Sequence, residues 1–166
     1  MPRRLLRDRQ IVVDEWRYIA EAAADASAPL IVTFDQWQME PDTWIERGSP
    51  LGVVLSPAHK VEQLAPDLSH FALIAAEFSG PGEGRGYTQA RLLRERWNFR
   101  GELRATGYVR RDLLFFMARC GFNSFELPET DIEDAYTAFS TFSAAYQPSN
   151  DLGLAVKLQP GIPASA

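Results

Sequence analysis

The sequence has few of the residues that build redox and metal sites. Its 166 residues include one cysteine, Cys120, and two histidines, His59 and His70. A single thiol excludes an internal disulfide framework and a CxxC redox pair, and the two histidines lack the spacing of metal ligands. We therefore predict no metal site, and the sequence identifies no cofactor.

Long apolar runs are also missing. No stretch approaches the roughly 20 consecutive apolar residues of a membrane span. Polar residues interrupt the N-terminus before a signal-peptide core can form. We expect a cytoplasmic protein with no membrane partner. The hydrophobic fraction of 46% and the length suit one globular domain with a core of its own.

Lysine is scarce, and arginine supplies most of the positive charge. Between Arg85 and Arg119 nine arginines stand against three acids, a local charge of +6. Because the whole chain carries −5, the remainder carries −11. This asymmetry predicts one basic face on an acidic protein. The acidic net charge and the absence of a recognised binding motif argue against nucleic acid as a partner.

Short apolar runs alternate with helical patterns along the chain. Such runs are typical of strands in a parallel sheet, so we predict an α/β domain with about five mainly parallel strands alternating with helices. The strands are expected at residues 30–34, 51–55, 71–78, 102–106 and 124–127. Two architectures remain open, a truncated βα barrel and an open doubly wound sheet.

The N-terminal segment has a different pattern. Apolar residues on both sides of Arg7–Gln10 indicate a small β-hairpin, and an alanine-rich linker follows from Glu21 to Pro29. The predicted boundaries are an arm over residues 1–29, a core over residues 30–147 that completes a single domain over residues 1–148, and a flexible tail over residues 149–166.

Two helices are predicted in the arginine-rich region. The first covers residues 88–97 and is expected to turn Arg91 and Arg94 outward. The second places Phe116, Met117 and Cys120 on one apolar stripe. We interpret Cys120 as a buried structural thiol, because a reactive thiolate needs a basic and exposed environment.

Ligands of parallel sheets gather at the carboxyl ends of the strands. Glu77 ends the third predicted strand and Glu126 the fifth, which makes them candidate catalytic residues as an acid–base pair. The alternative, which we favour, is that these carboxylates form ion pairs with Arg85 and Arg104.

The glycine-rich loop over residues 80–86 is the other candidate. It precedes a helix, and free backbone N–H groups at such a place favour an anion. Its sequence GPGEGRG matches neither the P-loop nor a clean GxGxxG pattern, so a small anion is favoured over a nucleotide. The residues predicted to bind an anion or a partner are Gly84, Arg85, Gly86, Arg91, Arg104 and Arg110.

One family resemblance is carried by these residues. The run GRGYTQARLLRERWNFRGELRATGYVRRDLLFFMARCGFNSFEL, with FALIAAEF before it, DEWRYIAE near the start and AYQPS near the end, resembles bacterial proteins labelled domain of unknown function 934. The resemblance spans residues 5–148. It implies a place in assimilatory sulfate reduction, because genes of that family stand beside those of sulfite reductase and members are often labelled oxidoreductases. It assigns no catalytic residue.

Two functions from different classes follow. The first is an accessory protein of assimilatory sulfate and sulfite reduction, which binds a small anion or a redox partner such as sulfite reductase through the arginine-rich face. The alternative is a small enzyme, an oxidoreductase acting on an anionic sulfur or phosphate compound, with Glu77 or Glu126 as base. The sequence lacks an evident nucleophile, redox centre or cofactor fingerprint, which favours the accessory protein.

Overall fold

A single curled sheet of eight strands organises the computed structural model, which describes residues 2–21 and 27–141. The strands are β1 (Arg4–Arg7), β2 (Gln10–Val13), β3 (Arg17–Tyr18), β4 (Leu30–Thr33), β5 (Leu51–Leu55), β6 (Leu73–Phe78), β7 (Glu102–Gly107) and β8 (Ser124–Phe125). Their order across the sheet is β2-β1-β8-β7-β6-β5-β4-β3. β3 through β8 pair in parallel, whereas β1 is antiparallel to both β2 and β8.

The parallel pairing predicted for five strands is confirmed in β4 to β8. The predicted number of strands was too low, because β3 adds a further parallel strand at one edge and the hairpin joins the other edge. The two residues of β3 make too short an apolar pattern to be recognised in the sequence.

The predicted N-terminal hairpin is present as β1 and β2. Asp8 and Arg9 form its turn with φ of 50° and 63°, the left-handed conformation that a tight two-residue hairpin turn requires. Contacts to Asn123 hold this glycine-free turn: the Asp8 N–H donates to the Asn123 carbonyl at 2.9 Å, and Asn123 Nδ2 donates to Asp8 Oδ1 at 3.1 Å.

The described residues form six short α-helices, five of them between strands and the last after β8. They are α1 (Phe34–Met39), α2 (Pro41–Glu46), α3 (Val61–Leu64), α4 (Arg85–Arg91), α5 (Leu114–Cys120) and α6 (Ile132–Thr141). A π-helical turn continues α4 over Leu92–Arg96, and 3₁₀ turns cover Ile19–Glu21, Ala65–His70 and Arg111–Leu113. The helix predicted at residues 88–97 therefore begins earlier and changes its winding before it ends.

The helices cover one face of the sheet. Their buried side chains share a core with Val32, Val53, Ile74 and Leu103 of the strands. A doubly wound sheet has helices on both faces, so that alternative is wrong. The sheet is a curled half-barrel, which agrees with the truncated-barrel alternative.

The N-terminal segment covers the other, concave face. Trp16 packs there against Ile31, Leu73 and Ala75. Gly52 makes room for this packing, because a Cβ on it would lie 3.2 Å from the Trp16 ring. The arm predicted at residues 1–29 thus supplies strands to both edges of the sheet and a cover for its concave face.

Two predicted segments fall outside the described residues. These are residues 22–26 of the predicted linker and the predicted tail at residues 149–166. Within the described part of the chain, no helix is long and apolar enough to cross a membrane.

Candidate functional site

Polar side chains form a row across the carboxyl ends of β6, β7 and β8. Glu77 is paired in register with Thr106. Thr106 Oγ1 in turn donates to Glu126 Oε2 at 2.9 Å. The two acids predicted at strand ends are therefore on the two neighbours of β7, with a threonine between them.

Arg104 lies below this row, fully buried on the concave face. Its Nη1 donates to Asp14 Oδ2 and Glu126 Oε1, both at 3.0 Å, and its Nη2 donates to Asp14 Oδ1 at 3.0 Å and Glu102 Oε1 at 2.8 Å. Three carboxylates thus surround one guanidinium. The pairing of Glu126 with Arg104, which the sequence favoured, is present.

Two further arginines pair with the carboxylates that surround Arg104; we call these side chains, with Thr106 and Tyr18, the polar cluster. Arg3 Nε donates to Asp14 Oδ2 at 2.9 Å, and Arg7 forms a longer ion pair with Glu102 at 3.4 Å. Burial opposes the charge of Arg104, but the neighbouring carboxylates raise its pKa above the ordinary value. Arg104 was predicted to bind an external anion, yet all its bonded donors are directed at these internal acids.

Glu126 is held by three donors. Besides Thr106 and Arg104, the Tyr18 hydroxyl donates to Glu126 Oε1 at 2.6 Å. Burial and the charge of Glu126 raise the pKa of the Tyr18 phenol, so Tyr18 stays protonated and continues to donate. Both carboxylate oxygens are therefore engaged by internal donors, which leaves Glu126 poorly placed to take a proton from a ligand.

Glu77 has the opposite environment. Its side chain is exposed, and it forms no hydrogen bond or ion pair within residues 2–21 and 27–141. The predicted pairing of Glu77 with Arg85 is therefore not formed. Of the two candidate acids, Glu77 is the one available to a ligand at the carboxyl edge.

A carboxylate of the glycine-rich loop itself binds the N-terminus of the helix that follows the loop. Glu83 Oε1 accepts a hydrogen bond from the Arg85 backbone N–H at 2.9 Å, at the first turn of α4. Carboxylates stabilise helix N-termini in this way. The side chain of Glu83 thus takes the backbone donor that was expected to bind a small anion.

Two glycines of this loop have structural roles. Gly82 has φ of +81°, which favours glycine. Gly86 is buried against the Phe78 ring, and a Cβ on it would lie 2.6 to 3.0 Å from three ring carbons. Gly84, by contrast, is exposed and has no atom within 4 Å of its Cβ position.

Arg94 corrects the expectation of outward-facing arginines. It is buried, and it donates to the carbonyl oxygens of Gly121 at 3.0 Å, Phe99 at 2.7 Å and Gly101 at 2.9 Å. Burial, with the nearby charge of Arg100, lowers its pKa to about 10. The π-helical turn carries Arg94 inward, where it joins the loop before β7 to the end of α5.

The remaining arginines divide between paired and unpaired groups. Arg110 pairs with Asp112 and Arg111 with Asp134, each at 2.9 Å on the exposed surface. The exposed arginines along the segment from α4 to the start of β7 are Arg85, Arg91, Arg96 and Arg100, which we call the arginine surface. Of these, Arg85, Arg96 and Arg100 form no ion pair with a described residue.

The arginine surface runs along the molecule rather than across its carboxyl edge. Arg85 follows β6 at that edge, whereas Arg100 precedes β7 at the opposite edge. The sequence predicted that this basic excess forms one face of the protein. It spreads instead because one helix carries most of it from one end of the sheet to the other.

An aromatic cavity of about 290 Å³ adjoins the glycine-rich loop at the carboxyl edge. Tyr87 stands between Phe78 and Phe116, with ring centroids 5.0 and 4.8 Å away. Phe116 was predicted to be buried, but it is 49% exposed at this cavity. Tyr108 also lines the cavity and is partly exposed.

Cys120 is buried, as predicted, at the end of α5. Gly121 follows it with φ of +120° and ends the helix. No group of three or more histidine, cysteine, aspartate or glutamate side chains suited to a metal ion occurs among the residues that the structure describes.

Sequence reasoning missed Asp14 and Tyr18 of the polar cluster. Both lie in the N-terminal segment, 90 and 108 positions from their respective partners Arg104 and Glu126. The two acids that follow the apolar strand of the hairpin, Asp14 and Glu15, were the available signal. Nothing in the sequence indicated which arginine Asp14 would meet.

Comparison with known proteins gives one result that bears on identity. No curated protein matches the chain. The model of the family described as "Bacterial protein of unknown function (DUF934)" matches residues 52–156, which is well over half of the chain. The chain therefore belongs to the DUF934 family.

Proposed function

We propose that this chain is an accessory protein of sulfite reduction that docks on an acidic surface of a partner, with sulfite reductase as the first candidate. The observation that supports docking is the arginine surface, where Arg85, Arg96 and Arg100 are exposed and form no ion pair with a described residue. Arginine is enriched in protein interfaces because its planar guanidinium binds carboxylates in a bidentate manner.

The pathway in this proposal rests on the resemblance described above, which implies genes beside those of sulfite reductase. The role without turnover rests on the concave face. There three arginines (Arg3, Arg7 and Arg104) pair with three carboxylates (Asp14, Glu102 and Glu126), so the charges balance. Charges that are satisfied internally leave little to act on a substrate, and removing one partner would leave the others buried and uncompensated.

The test is binding to purified sulfite reductase at low and high salt. We expect the double variant Arg96→Gln, Arg100→Gln to bind about tenfold more weakly or worse, since each exposed charge contributes to association. Binding of the natural chain should weaken as salt rises, because exposed charges are screened over about 8 Å at physiological ionic strength.

The matched control removes the same charge elsewhere. Arg4→Gln, Arg111→Gln also deletes two exposed arginines, but these are paired with Glu133 and Asp134 at 3.0 and 2.9 Å. This control should bind like the natural chain. If the natural chain does not bind, or if both double variants lose affinity equally, the arginine surface is not the docking site.

Glu77 favours a second candidate, a small enzyme acting on an anionic sulfur or phosphate compound. Its exposed carboxylate has no described partner and stands beside Thr106 at the carboxyl edge. In a host strain that lacks the chain, Glu77→Gln would then fail to restore growth on sulfate while still binding the reductase. Full restoration by Glu77→Gln would exclude this carboxylate as the catalytic base.

A further inference from the structure

A second cavity lies between the loop that follows β5 and the first turns of α4. Its volume is about 530 Å³, within the range of small-molecule sites. The residues that line it from α4 and the π-helical turn that continues it are Arg85, Thr88, Gln89 and Leu92. These residues follow the i, i+3, i+4, i+7 spacing of one helical face. His59 and Lys60 line it from the loop.

The wall of this cavity is held in place by buried hydrogen bonds. Gln89 is 4% exposed, and its Nε2 donates to the carbonyl oxygens of Ser56 and His59, each at 2.9 Å. The Ser56 backbone N–H donates to His59 Nδ1 at 3.0 Å, which leaves the ring proton on Nε2, 3.3 Å from Asp35 Oδ1. The loop is therefore preorganised, and His59 acts in it as a structural link.

The cavity carries unpaired positive charge. Lys60 and Arg85 reach it from different elements, and neither forms an ion pair within the described ranges. Glu62 also lines the cavity, so its charged groups sum to a positive value. The Thr88 hydroxyl adds a neutral donor one turn after Arg85.

One buried acceptor in this wall lacks a donor. Gln89 Oε1 has no hydrogen-bond partner among the described residues, although its own Nε2 is doubly bonded. A buried polar atom without a partner is uncommon in proteins. This oxygen has almost no exposed surface, so it lies within the packed wall and does not face the open volume of the cavity.

We infer that this cavity binds a small organic phosphate monoester. The phosphate has three acceptor oxygens and a charge between −1 and −2 at neutral pH, which matches the donors of Lys60, Arg85 and Thr88. The cavity volume of about 530 Å³ is far more than inorganic phosphate fills, and Leu92 and Val61 in its lining offer apolar contacts to an organic part. Arg85 belongs both to this cavity and to the arginine surface. Binding of a phosphate monoester in the cavity does not require a protein partner and is independent of the proposed function.

The experiment is calorimetric titration at low ionic strength with glucose 6-phosphate, glucose 6-sulfate, inorganic phosphate and glucose. We expect saturable binding of glucose 6-phosphate at one site, weaker binding of inorganic phosphate, and no binding of glucose. Equal binding of inorganic phosphate and glucose 6-phosphate would overturn the assignment of an ester. Tighter binding of the sulfate would overturn the assignment of a phosphate.

Variants separate the cavity from general electrostatics. Lys60→Gln should weaken glucose 6-phosphate binding about tenfold, because a charge-assisted hydrogen bond is lost. Arg100→Gln removes the same charge outside the cavity and should change the affinity less than about twofold. Equal losses in the two variants, or no saturable binding by the natural chain, would overturn the inference. The Arg96→Gln, Arg100→Gln variant should keep this site, so failure of reductase docking and failure of this site are distinguishable.

Discussion

The concave face and the arginine surface use the same residue type in opposite ways. On the concave face, Arg104 is fully buried and contacts three carboxylates. On the arginine surface, Arg96 and Arg100 are exposed and form no ion pair with described residues. The comparison shows that a local charge of +6 in the sequence mixes arginines that hold the fold together with arginines that are available to partners.

The physical basis of this difference is desolvation. A buried guanidinium is tolerated only when hydrogen-bond acceptors replace its water, as the carboxylates do for Arg104 and the backbone carbonyls do for Arg94. An exposed guanidinium keeps its water and its freedom to bind another molecule. The following predictions test the contrast, beginning with the largest expected effect.

Arg104→Met should be the most destabilising of these changes. Removing the buried cation leaves Asp14, Glu102 and Glu126 facing one another, and we expect a loss of about 3–5 kcal/mol in the free energy of unfolding. Urea unfolding measures it. The control Arg100→Met should stay within about 0.5 kcal/mol of the natural chain. A loss under about 1 kcal/mol for Arg104→Met, the range of an exposed ion pair, would contradict the central role of Arg104.

Gly86→Ala tests how α4, where the arginine surface begins, is held to the sheet. The added methyl would lie within 3.0 Å of the Phe78 ring, so we expect a loss of about 1–3 kcal/mol from overpacking. Gly84→Ala is the matched control, because its Cβ meets nothing within 4 Å. Thermal unfolding of both variants decides the point. Equal stability of the two would show that α4 can shift away from Phe78.

Cys120→Ser tests whether the core beneath the helices is as apolar as the contacts indicate. A hydroxyl buried at this position should lower the free energy of unfolding by about 1–2 kcal/mol, less than for an orphan group because the Arg91 side chain lies within hydrogen-bond reach. Cys120→Ala introduces no polar group and should cost less. In the native protein the thiol should react slowly with a thiol reagent, since it is fully buried. Rapid labelling would contradict this.

Tyr18→Phe should have the smallest effect, about 1 kcal/mol, because Glu126 keeps two other donors. The stabilising contribution of the Tyr18 hydroxyl should depend on pH. Burial and Glu126 raise the phenol pKa above its ordinary value of 10.0, so above about pH 10 the unfolded chain loses its proton first. The advantage of tyrosine over phenylalanine is therefore complete below pH 10 and shrinks as pH rises.

The measurement is the difference in unfolding free energy between the natural chain and Tyr18→Phe from pH 8 to 11. Tyr136→Phe, at an exposed position of α6, serves as the control and should show no such trend. A constant difference for Tyr18→Phe over this range would mean that its hydroxyl is not buried beside a charge.

The sequence predicted which strands carry the two candidate acids of the site. Glu77 and Glu126 were expected at strand ends, and they stand at the carboxyl edges of β6 and β8. The contrast between them was not predictable. Glu126 is surrounded by donors because Tyr18, 108 positions away in sequence, donates a hydrogen bond to it. No local sequence pattern predicts a contact between such distant residues.

The sequence alone determined the strands from β4 to β8, their parallel pairing, the hairpin and the burial of Cys120. These features depend on apolar periodicity and turn geometry, which act between near neighbours along the chain. Only the tertiary structure decided which arginines are buried, how the sheet curls, and that Lys60 and Arg85 meet at one cavity. These outcomes depend on which side chains replace water around a given charge, and the replacements come from segments distant in sequence.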